Sequence, residues 1–294
     1  MKKKIGKILA LVLVVVMSLA LFGGCTTDNG DQGDVGAKKH IKLGYVNWAE
    51  GVAMTNLAKA IFEEKLDYTC EITMADVAPI FTSIANGDYD AFLDAWLPVT
   101  HESYIEEYGD NLVNLGINYE GARIGLVVPS YVEIDSIEEM NSIKDQVDGR
   151  IVGIDAGAGI MRATERAIPA YELDYELQSA SDPVMVAALK TAIDKEEPVI
   201  VTGWAPHWKF ARWDLKFLED PQKVFGDVEH VYTIARVGIE EDLPEAAEFL
   251  TNFKLDDQQL GDLMGRIADG QDEFEAATEW MNENEDLVNS WIGQ

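Results

Sequence analysis

Residues 94–101 read Asp-Ala-Trp-Leu-Pro-Val-Thr-His, and they follow residues 89–93, a short run with the composition of a β-strand. The proline at position 98 has no N–H group, so regular strand pairing cannot continue through it. We therefore expect Trp96 to lie on a turn at the end of this strand, outside the hydrogen-bonded ladder.

A second segment has the same plan. Residues 199–208 read Val-Ile-Val-Thr-Gly-Trp-Ala-Pro-His-Trp, so an apolar run again precedes a tryptophan, Trp204, that stands two residues before a proline. Each segment also follows a helix-like stretch that begins near a proline, at residues 79–88 and 183–197. The repetition predicts two similar units that place two tryptophans at similar loop positions.

Strand-like and helix-like segments alternate along the chain from residue 40 onward, which is typical of α/β domains with parallel or mixed sheets. The strands are predicted at residues 41–46, 70–74, 90–94, 112–117, 121–129, 198–202 and 231–237. The helices are predicted at residues 51–66, 79–86, 101–108, 136–147, 182–194, 243–252, 256–269 and 272–291. Sheets of this type bind ligands beyond the carboxyl ends of their strands, where Trp48 and Trp96 both lie.

The middle of the chain indicates a second lobe. Residues 121–129 are strongly apolar and are expected to carry the chain into it, and Ser136 and Glu139 then stand at capping-box spacing. Residues 151–161 read as a strand, a glycine turn and a helix start, where free backbone N–H groups form an anion site. The turn lacks the Lys-Ser/Thr pair of a phosphate loop and the spacing of a dinucleotide fingerprint. It therefore suits a carboxylate better than a nucleotide.

Residues 1–24 have the features of an export signal. Four lysines stand near the start, and residues 8–22 form an apolar run shorter than the ~20 residues of a membrane-spanning helix. Two glycines directly before Cys25 resemble a bacterial lipoprotein cleavage site, although the phenylalanine before them stands where that pattern prefers an aliphatic residue. A plain secretory signal with an incidental cysteine is the alternative. We expect Cys25 to carry lipid, residues 25–39 to form a flexible linker, and the lipid alone to hold the protein on the extracytoplasmic face of the cell membrane.

The chain is strongly acidic. Its 53 Asp and Glu outnumber its 23 Lys and Arg, four of which lie before Cys25, so the formal charge of −30 becomes −34 without residues 1–24. Such a charge repels phosphate backbones, so we expect no nucleic-acid binding. Adaptation to salt is an equally good reason for the acidity. Besides Cys25 the sequence has one cysteine, Cys70, so no disulfide framework is expected.

Four segments together resemble one family. Residues 45–48 (Tyr-Val-Asn-Trp), 94–101, 153–161 and 203–208 are similar to segments of the OpuAC-like substrate-binding proteins of glycine betaine ABC importers. The resemblance covers residues 40–294 and implies an α/β fold of the type II periplasmic-binding-protein class, with two lobes, a hinge and a ligand cleft. The first lobe would contain residues 40–125 and 235–294, and the second lobe residues 126–234. Known relatives also join the two halves in the opposite order.

The same resemblance implies a binding site. Trp48, Trp96 and Trp204 would surround a quaternary ammonium, while His101 and the backbone amides of Gly159 and Ile160 would hold a carboxylate. A trimethylammonium group has no N–H to donate and prefers apolar surroundings, and each indole face contributes roughly 0.5–2 kcal/mol. After the costs of lobe closure and desolvation, micromolar affinity is expected. If His101 bound as the imidazolium, affinity would fall as pH rose past neutrality; the alternative is a histidine that caps its own turn.

The resemblance further implies uptake of glycine betaine or proline betaine as an osmoprotectant, with an ABC permease and its ATPase as partners. We expect no cofactor, no metal ion and a monomeric soluble domain. A choline or carnitine binder is the closer alternative, and a sensory ligand-binding protein is another. An enzyme is not favoured, because no nucleophile–base pair, metal-ligand spacing or cofactor loop stands near the tryptophans. Six other residues are interpreted as packing or structural residues: Trp208, Trp213, Phe274, Trp280, Trp291 and His207.

Overall fold

The computed structural model describes residues 39–293. The predicted signal, the lipid-bearing Cys25 and nearly all of the predicted linker lie outside the described residues. Between residues 39 and 293, no helix combines the length and the apolar composition needed to cross a bilayer.

Strands and helices alternate through residue 236, and a group of helices follows. The strands are β1 (Lys39–Tyr45), β2 (Tyr68–Met74), β3 (Ala91–Leu97), β4 (Leu112–Pro129), β5 (Arg150–Val152), β6 (Glu176–Gln178), β7 (Val201–Ala205), β8 (Leu215–Phe217) and β9 (Glu229–Arg236). The α-helices are α1 (Ala49–Glu64), α2 (Val77–Ala85), α3 (Glu102–Tyr108), α4 (Gly159–Ala170), α5 (Asp182–Asp194), α6 (Lys209–Arg212), α7 (Ile239–Asp242), α8 (Pro244–Asn252), α9 (Asp257–Ala268), α10 (Glu273–Glu283) and α11 (Glu285–Trp291). Two 3₁₀ segments are Gly109–Asn111 and Ile137–Val147.

The strands form two sheets that share one long strand, β4. The first sheet has the order β2-β1-β3-β9-β4, in which β1 runs parallel to β2 and β3 while β9 runs antiparallel to β3 and β4. The second sheet has the order β4-β7-β5-β6, with β8 antiparallel beside the end of β4. Each sheet and the helices packed on it form one lobe, and α1 packs with α9 and α10 in the first lobe.

The change from one sheet to the other takes place within β4. Residues 112–122 pair with β9 in the first sheet, and residues 123–127 pair with β7 in the second. The register of the first pairing shifts between Glu120 and Ala122, and Gly121 between them has φ +86°, a conformation that glycine adopts without a Cβ clash. One strand therefore contributes to both lobes.

Because β9 belongs to the first sheet, the chain has returned to the first lobe at this strand. The predicted lobe boundaries, residues 40–125 with 235–294 and residues 126–234, stay a prediction. The predicted helix at residues 136–147 is a 3₁₀ segment, and its predicted capping box between Ser136 and Glu139 is present.

The helices at the end of the described chain bury large aromatic residues. The rings of Trp280 and Trp291 stack with centroids 6.5 Å apart, and Phe253 lies 4.9 Å from Trp291. Packing roles for these two tryptophans are thus confirmed. The prediction of a single helix at residues 272–291 is wrong, because the chain forms the two helices α10 and α11 there. Asn284 lies between them, and its backbone angles, φ −115° and ψ 36°, are not helical.

The structure corrects the predicted positions of two tryptophans. Trp96 lies inside β3 and pairs with β9, and Trp204 lies inside β7 and pairs with β4. The prediction that both tryptophans lie on turns was therefore wrong. Each proline removes only its own N–H group, two residues later, so the tryptophan can still pair with the neighbouring strand. The two strands predicted at residues 112–117 and 121–129 are the single strand β4.

Candidate functional site

A small cavity lies where the two lobes meet. Its lining comes from both sheets and consists of Trp48, Glu50, Trp96, Thr100, Ile124, Ile154, Ala158, Gly159, Ile160 and Trp204. Five of the six predicted binding residues line this one cavity, and His101 does not.

The three tryptophans enter the cavity from the ends of three strands. Trp48 follows β1 and directly precedes α1, Trp96 is the penultimate residue of β3, and Trp204 is the penultimate residue of β7. All three are buried, with 5%, 2% and 2% of their surfaces exposed. An indole in such a place presents a large apolar surface with a negative face, which attracts cations.

A carboxylate accepts the N–H group of each of these indoles. Trp96 donates to Asp94 Oδ1 at 2.7 Å. Trp204 donates to Glu50 Oε2 at 2.8 Å, and Trp48 donates to Asp155 Oδ2 at 3.3 Å. An indole has only this one donor. The tryptophans therefore present their ring faces and C–H edges to the cavity, and none of their N–H groups is free to bind a ligand there.

Several buried ionisable groups surround the cavity. Burial raises the pKa of Glu50 to about 8. Burial, followed by the charge of Glu50, raises the pKa of Asp94 well above its ordinary value. Glu50 Oε1 and Asp94 Oδ2 have no hydrogen-bond partner among the described residues. Two carboxyl groups without full hydrogen bonding thus lie beside the tryptophans. Burial favours their neutral forms, and a cation in the cavity would favour their ionised forms.

A buried lysine lies against Trp204 from outside the cavity. Lys209 is completely buried and does not line the cavity, yet its Nζ lies 4.1 Å from the centroid of the Trp204 ring. Burial lowers the pKa of Lys209 to about 7, against the opposing effects of Asp182 and Glu50. The charge of Lys209 therefore influences the ring that faces the cavity.

The other end of the site is the start of α4. Gly159 and Ile160 are its first two residues, and the preceding Ala158 offers no capping side chain. Within the described chain, no hydrogen bond uses the N–H groups of Gly159 and Ile160. Free N–H groups at the start of a helix, together with the helix dipole, favour an anion.

Gly159 also permits a close approach between the lobes. A Cβ atom at this position would lie 2.1 Å from the carbonyl oxygen of Thr100, in the first lobe. Arg162 Nη2 donates to the same oxygen at 3.2 Å, and Tyr104 Oη donates to the Gly157 carbonyl oxygen at 3.0 Å. These contacts hold the glycine turn of the second lobe against the loop after β3.

His101 is completely buried beside the cavity. Its Nδ1 accepts the backbone N–H of Trp96 at 3.0 Å, which assigns the proton to Nε2, and Nε2 has no partner among the described residues. Its ring stacks on Trp48 with centroids 6.0 Å apart. Burial, followed by the charge of Arg162, lowers the pKa of His101 to about 3. His101 is thus an uncharged donor, and the pH dependence of an imidazolium is not expected.

The loop that carries Thr100 and His101 is fixed by Glu229, which is completely buried. Its Oε1 accepts the backbone N–H groups of Val99 at 2.7 Å and Thr100 at 2.9 Å, and its Oε2 accepts the Thr100 hydroxyl group. This single carboxylate of β9 therefore holds one wall of the cavity.

We expect Glu229→Ala to lower the free energy of unfolding by about 2–3 kcal/mol, because buried N–H groups left without acceptors cost about 1–3 kcal/mol each. Urea denaturation followed by circular dichroism measures the change. Glu120→Ala, which removes an exposed partner of Lys254, is the matched control and should leave stability unchanged. Equal stability of the Glu229→Ala variant and the wild type would contradict this role.

The other aromatic residues near Trp204 lie outside the cavity. His207 Nε2 lies 3.2 Å from Asp182 Oδ1, and its Nδ1 accepts the backbone N–H of Lys209. Trp208 and Trp213 pack together with centroids 5.6 Å apart. These contacts agree with the structural roles predicted for the three residues.

Sequence reasoning missed Glu50, Lys209 and Glu229. Glu50 stands two residues after Trp48, but an acidic residue in the first turn of a helix is common. The partner carboxylates Asp94 and Asp155 stand within the quoted segments, yet no pattern in them indicated bonds to indoles.

Comparisons with known proteins agree with the geometry. Residues 39–283 match the OpuAC family, described as the substrate-binding domain of the ABC-type glycine betaine transport system. The glycine betaine/carnitine transport binding protein GbuC of Listeria monocytogenes is 44% identical over 150 residues. This match spans about half the length of each of the two proteins.

Two solved structures are similar over most of their length. Lactococcal OpuAC, in its closed-liganded conformation with glycine betaine, has 35% identity and a TM-score of 0.83, with 87% of this chain and 100% of that chain covered. An ABC-transporter choline-binding protein in complex with choline has 27% identity and a TM-score of 0.81, with 86% and 91% covered. The predicted fold class, a two-lobed type II periplasmic binding protein, is confirmed.

Proposed function

Because this chain belongs to the OpuAC family of substrate-binding domains of ABC-type glycine betaine transport systems, we propose that it captures glycine betaine or proline betaine for uptake as an osmoprotectant. It is a substrate-binding protein of the glycine betaine/choline type, in a family of transport proteins and not of enzymes. The proposed ligand is a zwitterion with a trimethylammonium or dimethylammonium group at one end and a carboxylate at the other.

One observation carries this proposal: three tryptophans and two free backbone N–H groups line the same small cavity. A methylated ammonium group cannot donate a hydrogen bond, so a lining made mainly of indole rings and aliphatic side chains costs it no hydrogen bond of its own. Each indole face adds roughly 0.5–2 kcal/mol. The carboxylate would accept the N–H groups of Gly159 and Ile160, with about 1.5–3 kcal/mol for each charge-assisted bond. His101 Nε2–H is a further proposed donor.

The proposed mechanism uses the two lobes in turn. The betaine enters between open lobes and meets Trp48 and Trp96 of the first lobe. Closure then brings Trp204 and Gly159 of the second lobe onto it, and the closed form delivers it to a membrane permease whose ATPase supplies the energy.

Intrinsic tryptophan fluorescence against a panel of small molecules tests the proposal. Glycine betaine and proline betaine should bind with micromolar affinity, and choline should bind at least about tenfold more weakly, because it has no carboxylate for the helix start. Equal or tighter binding of choline or carnitine would favour that class of ligand instead. No response to any quaternary ammonium compound would contradict the proposed class of ligand.

Affinity for glycine betaine is expected to rise from about pH 6 to about pH 9. The pKa of Glu50 is raised to about 8 and that of Lys209 is lowered to about 7, mainly by burial in both cases. Whichever group releases its proton, the surroundings of Trp204 become more negative and attract a cation more strongly. His101, with a pKa of about 3, stays neutral throughout.

Calorimetric titrations at several pH values measure how affinity changes with pH. The variants Glu50→Gln and Lys209→Met should each show a smaller rise in affinity. Affinity that falls as pH rises would contradict the prediction and support a charged histidine.

We also propose that Cys25 carries lipid and tethers a monomeric binding domain to the membrane. The lysine-rich start, the apolar run and the glycines before Cys25 support this proposal. Cys25→Ser should release the protein from membranes in fractionation, whereas wild type should stay bound.

A further inference from the structure

Two of the three indole–carboxylate bonds join opposite lobes. Trp204, on β7 of the second lobe, donates to Glu50, at the start of α1 in the first lobe. Trp48, at the end of β1 in the first lobe, donates to Asp155, which follows β5 in the second lobe. Each lobe thus supplies one tryptophan and one carboxylate to the other. The third bond, from Trp96 to Asp94, stays within β3.

We propose that Glu50 and Asp155 are positioning residues. Through their bonds to Trp204 and Trp48, they couple closure of the lobes to completion of the tryptophan cage, so that the two occur together. This inference rests on the proposed function of the cavity. An indole N–H bonds to its carboxylate across the cleft only when the lobes are together, and that bond fixes the ring that faces the ligand. The cage is therefore also part of the contact that holds the lobes closed.

Burial strengthens these indole–carboxylate hydrogen bonds. Glu50 is 1% exposed, and the N–H of Trp204 supplies the hydrogen bond of its Oε2 atom at 2.8 Å. A hydrogen bond in a water-poor site is stronger than one in solvent, and removal of one partner leaves the other buried and unpaired. The bond from Trp48 to Asp155 is longer, at 3.3 Å, and Asp155 is less buried. We therefore assign the larger effect to Glu50.

The geometry favours positioning over direct ligand binding. Asp155 does not line the cavity, so it acts through Trp48. Glu50 does line the cavity, but a methylated ammonium group has no N–H to offer it, and its Oε2 is already bonded to Trp204. Other contacts between the lobes, such as Arg162 with Thr100, do not involve the tryptophans. Loss of an indole bond should thus shift the balance between open and closed lobes without removing closure.

The test measures lobe separation and affinity in the same proteins. Nitroxide labels at Glu106→Cys and Glu138→Cys, on exposed residues of the first and second lobes, report the distance by pulsed electron paramagnetic resonance. A Cys25→Ser background avoids labelling there, and Cys70 is buried. Glu50→Leu removes the acceptor, and Trp204→Phe removes the N–H while it keeps an aromatic face.

We expect Glu50→Leu to shift the ligand-free distances toward the open form and to weaken glycine betaine binding about tenfold, as loss of one such hydrogen bond does. Trp204→Phe should give a similar shift, and Glu50→Leu should add little to it in the double variant, because both remove the same bond. Asp155→Leu and Trp48→Phe should form a second such pair with a smaller shift.

Asp94→Leu is the matched control, because it removes an indole acceptor within one lobe. It should weaken binding but leave the ligand-free distances unchanged. The inference is overturned if Glu50→Leu leaves the distances as in wild type, or if its effect is undiminished in the Trp204→Phe protein. Failure of the proposed function is recognised separately, since the wild type would then show no change of distance with glycine betaine.

Discussion

Gly159→Ala is expected to abolish measurable glycine betaine binding and to leave the fold intact. The added Cβ would lie 2.1 Å from the carbonyl oxygen and 2.8 Å from the carbonyl carbon of Thr100. Both atoms belong to the backbone of the opposite lobe, so no side-chain rotation relieves the clash, and the lobes must stay apart. Alanine is a better helix former than glycine, so α4 itself is not weakened. We expect at least about a hundredfold loss, which corresponds to about 2.7 kcal/mol.

Calorimetry measures this loss, and circular dichroism should show wild-type secondary structure. Gly157→Ala is the matched control in the same turn, because the nearest atoms to its Cβ lie 3.9 Å away. That variant should bind with nearly wild-type affinity. Wild-type affinity in the Gly159→Ala protein would mean that the bound form does not need the close approach to Thr100.

Trp96→Ala and Trp204→Ala are each expected to weaken glycine betaine binding at least about a hundredfold. Each removes a face worth roughly 0.5–2 kcal/mol, opens the cavity to water and leaves a buried carboxylate without its indole donor. The first and third of these costs together amount to about 1.5–5 kcal/mol, a range that contains the 2.7 kcal/mol or so of a hundredfold loss. Circular dichroism should remain native, because both rings line a cavity instead of filling the centre of a lobe.

Trp213→Ala is the control for loss of a tryptophan elsewhere, since Trp213 packs on Trp208 outside the cavity. It should retain micromolar affinity. Trp96→Phe should lie between wild type and Trp96→Ala, because phenylalanine keeps a smaller aromatic face. Micromolar affinity in both alanine variants would remove the tryptophan cage from the proposed function.

The order of strands and helices could be predicted from the sequence, because alternating patterns and glycine turns are local signals. The residues at which the strands end could not be predicted. Trp96 and Trp204 are paired residues because β9 and β4 extend alongside them, and a proline two residues later does not show how far a neighbouring strand reaches. The break at Asn284 is likewise a change in the backbone angles of one residue, which no sequence pattern marks.

Residues of the candidate site could be predicted where their type alone suggests a role, as with tryptophans before prolines and glycines before a helix. The partners of these residues could not be predicted. Glu50 is 154 positions from Trp204 along the chain, and Asp155 is 107 positions from Trp48. Likewise, the state of His101 depends on burial and on the N–H of Trp96, which only the folded chain reveals.

The continuity of β4 through both sheets limits how the cleft can open. Within residues 39–293 the backbone passes between the sheets twice, in β4 near Gly121 and again between β8 and β9. We infer from these two crossings that the lobes open by rotation about an axis that passes near both of them. Side chains far from such an axis would travel farther than those near it, and a rotation of this kind would leave the packing inside each lobe unchanged.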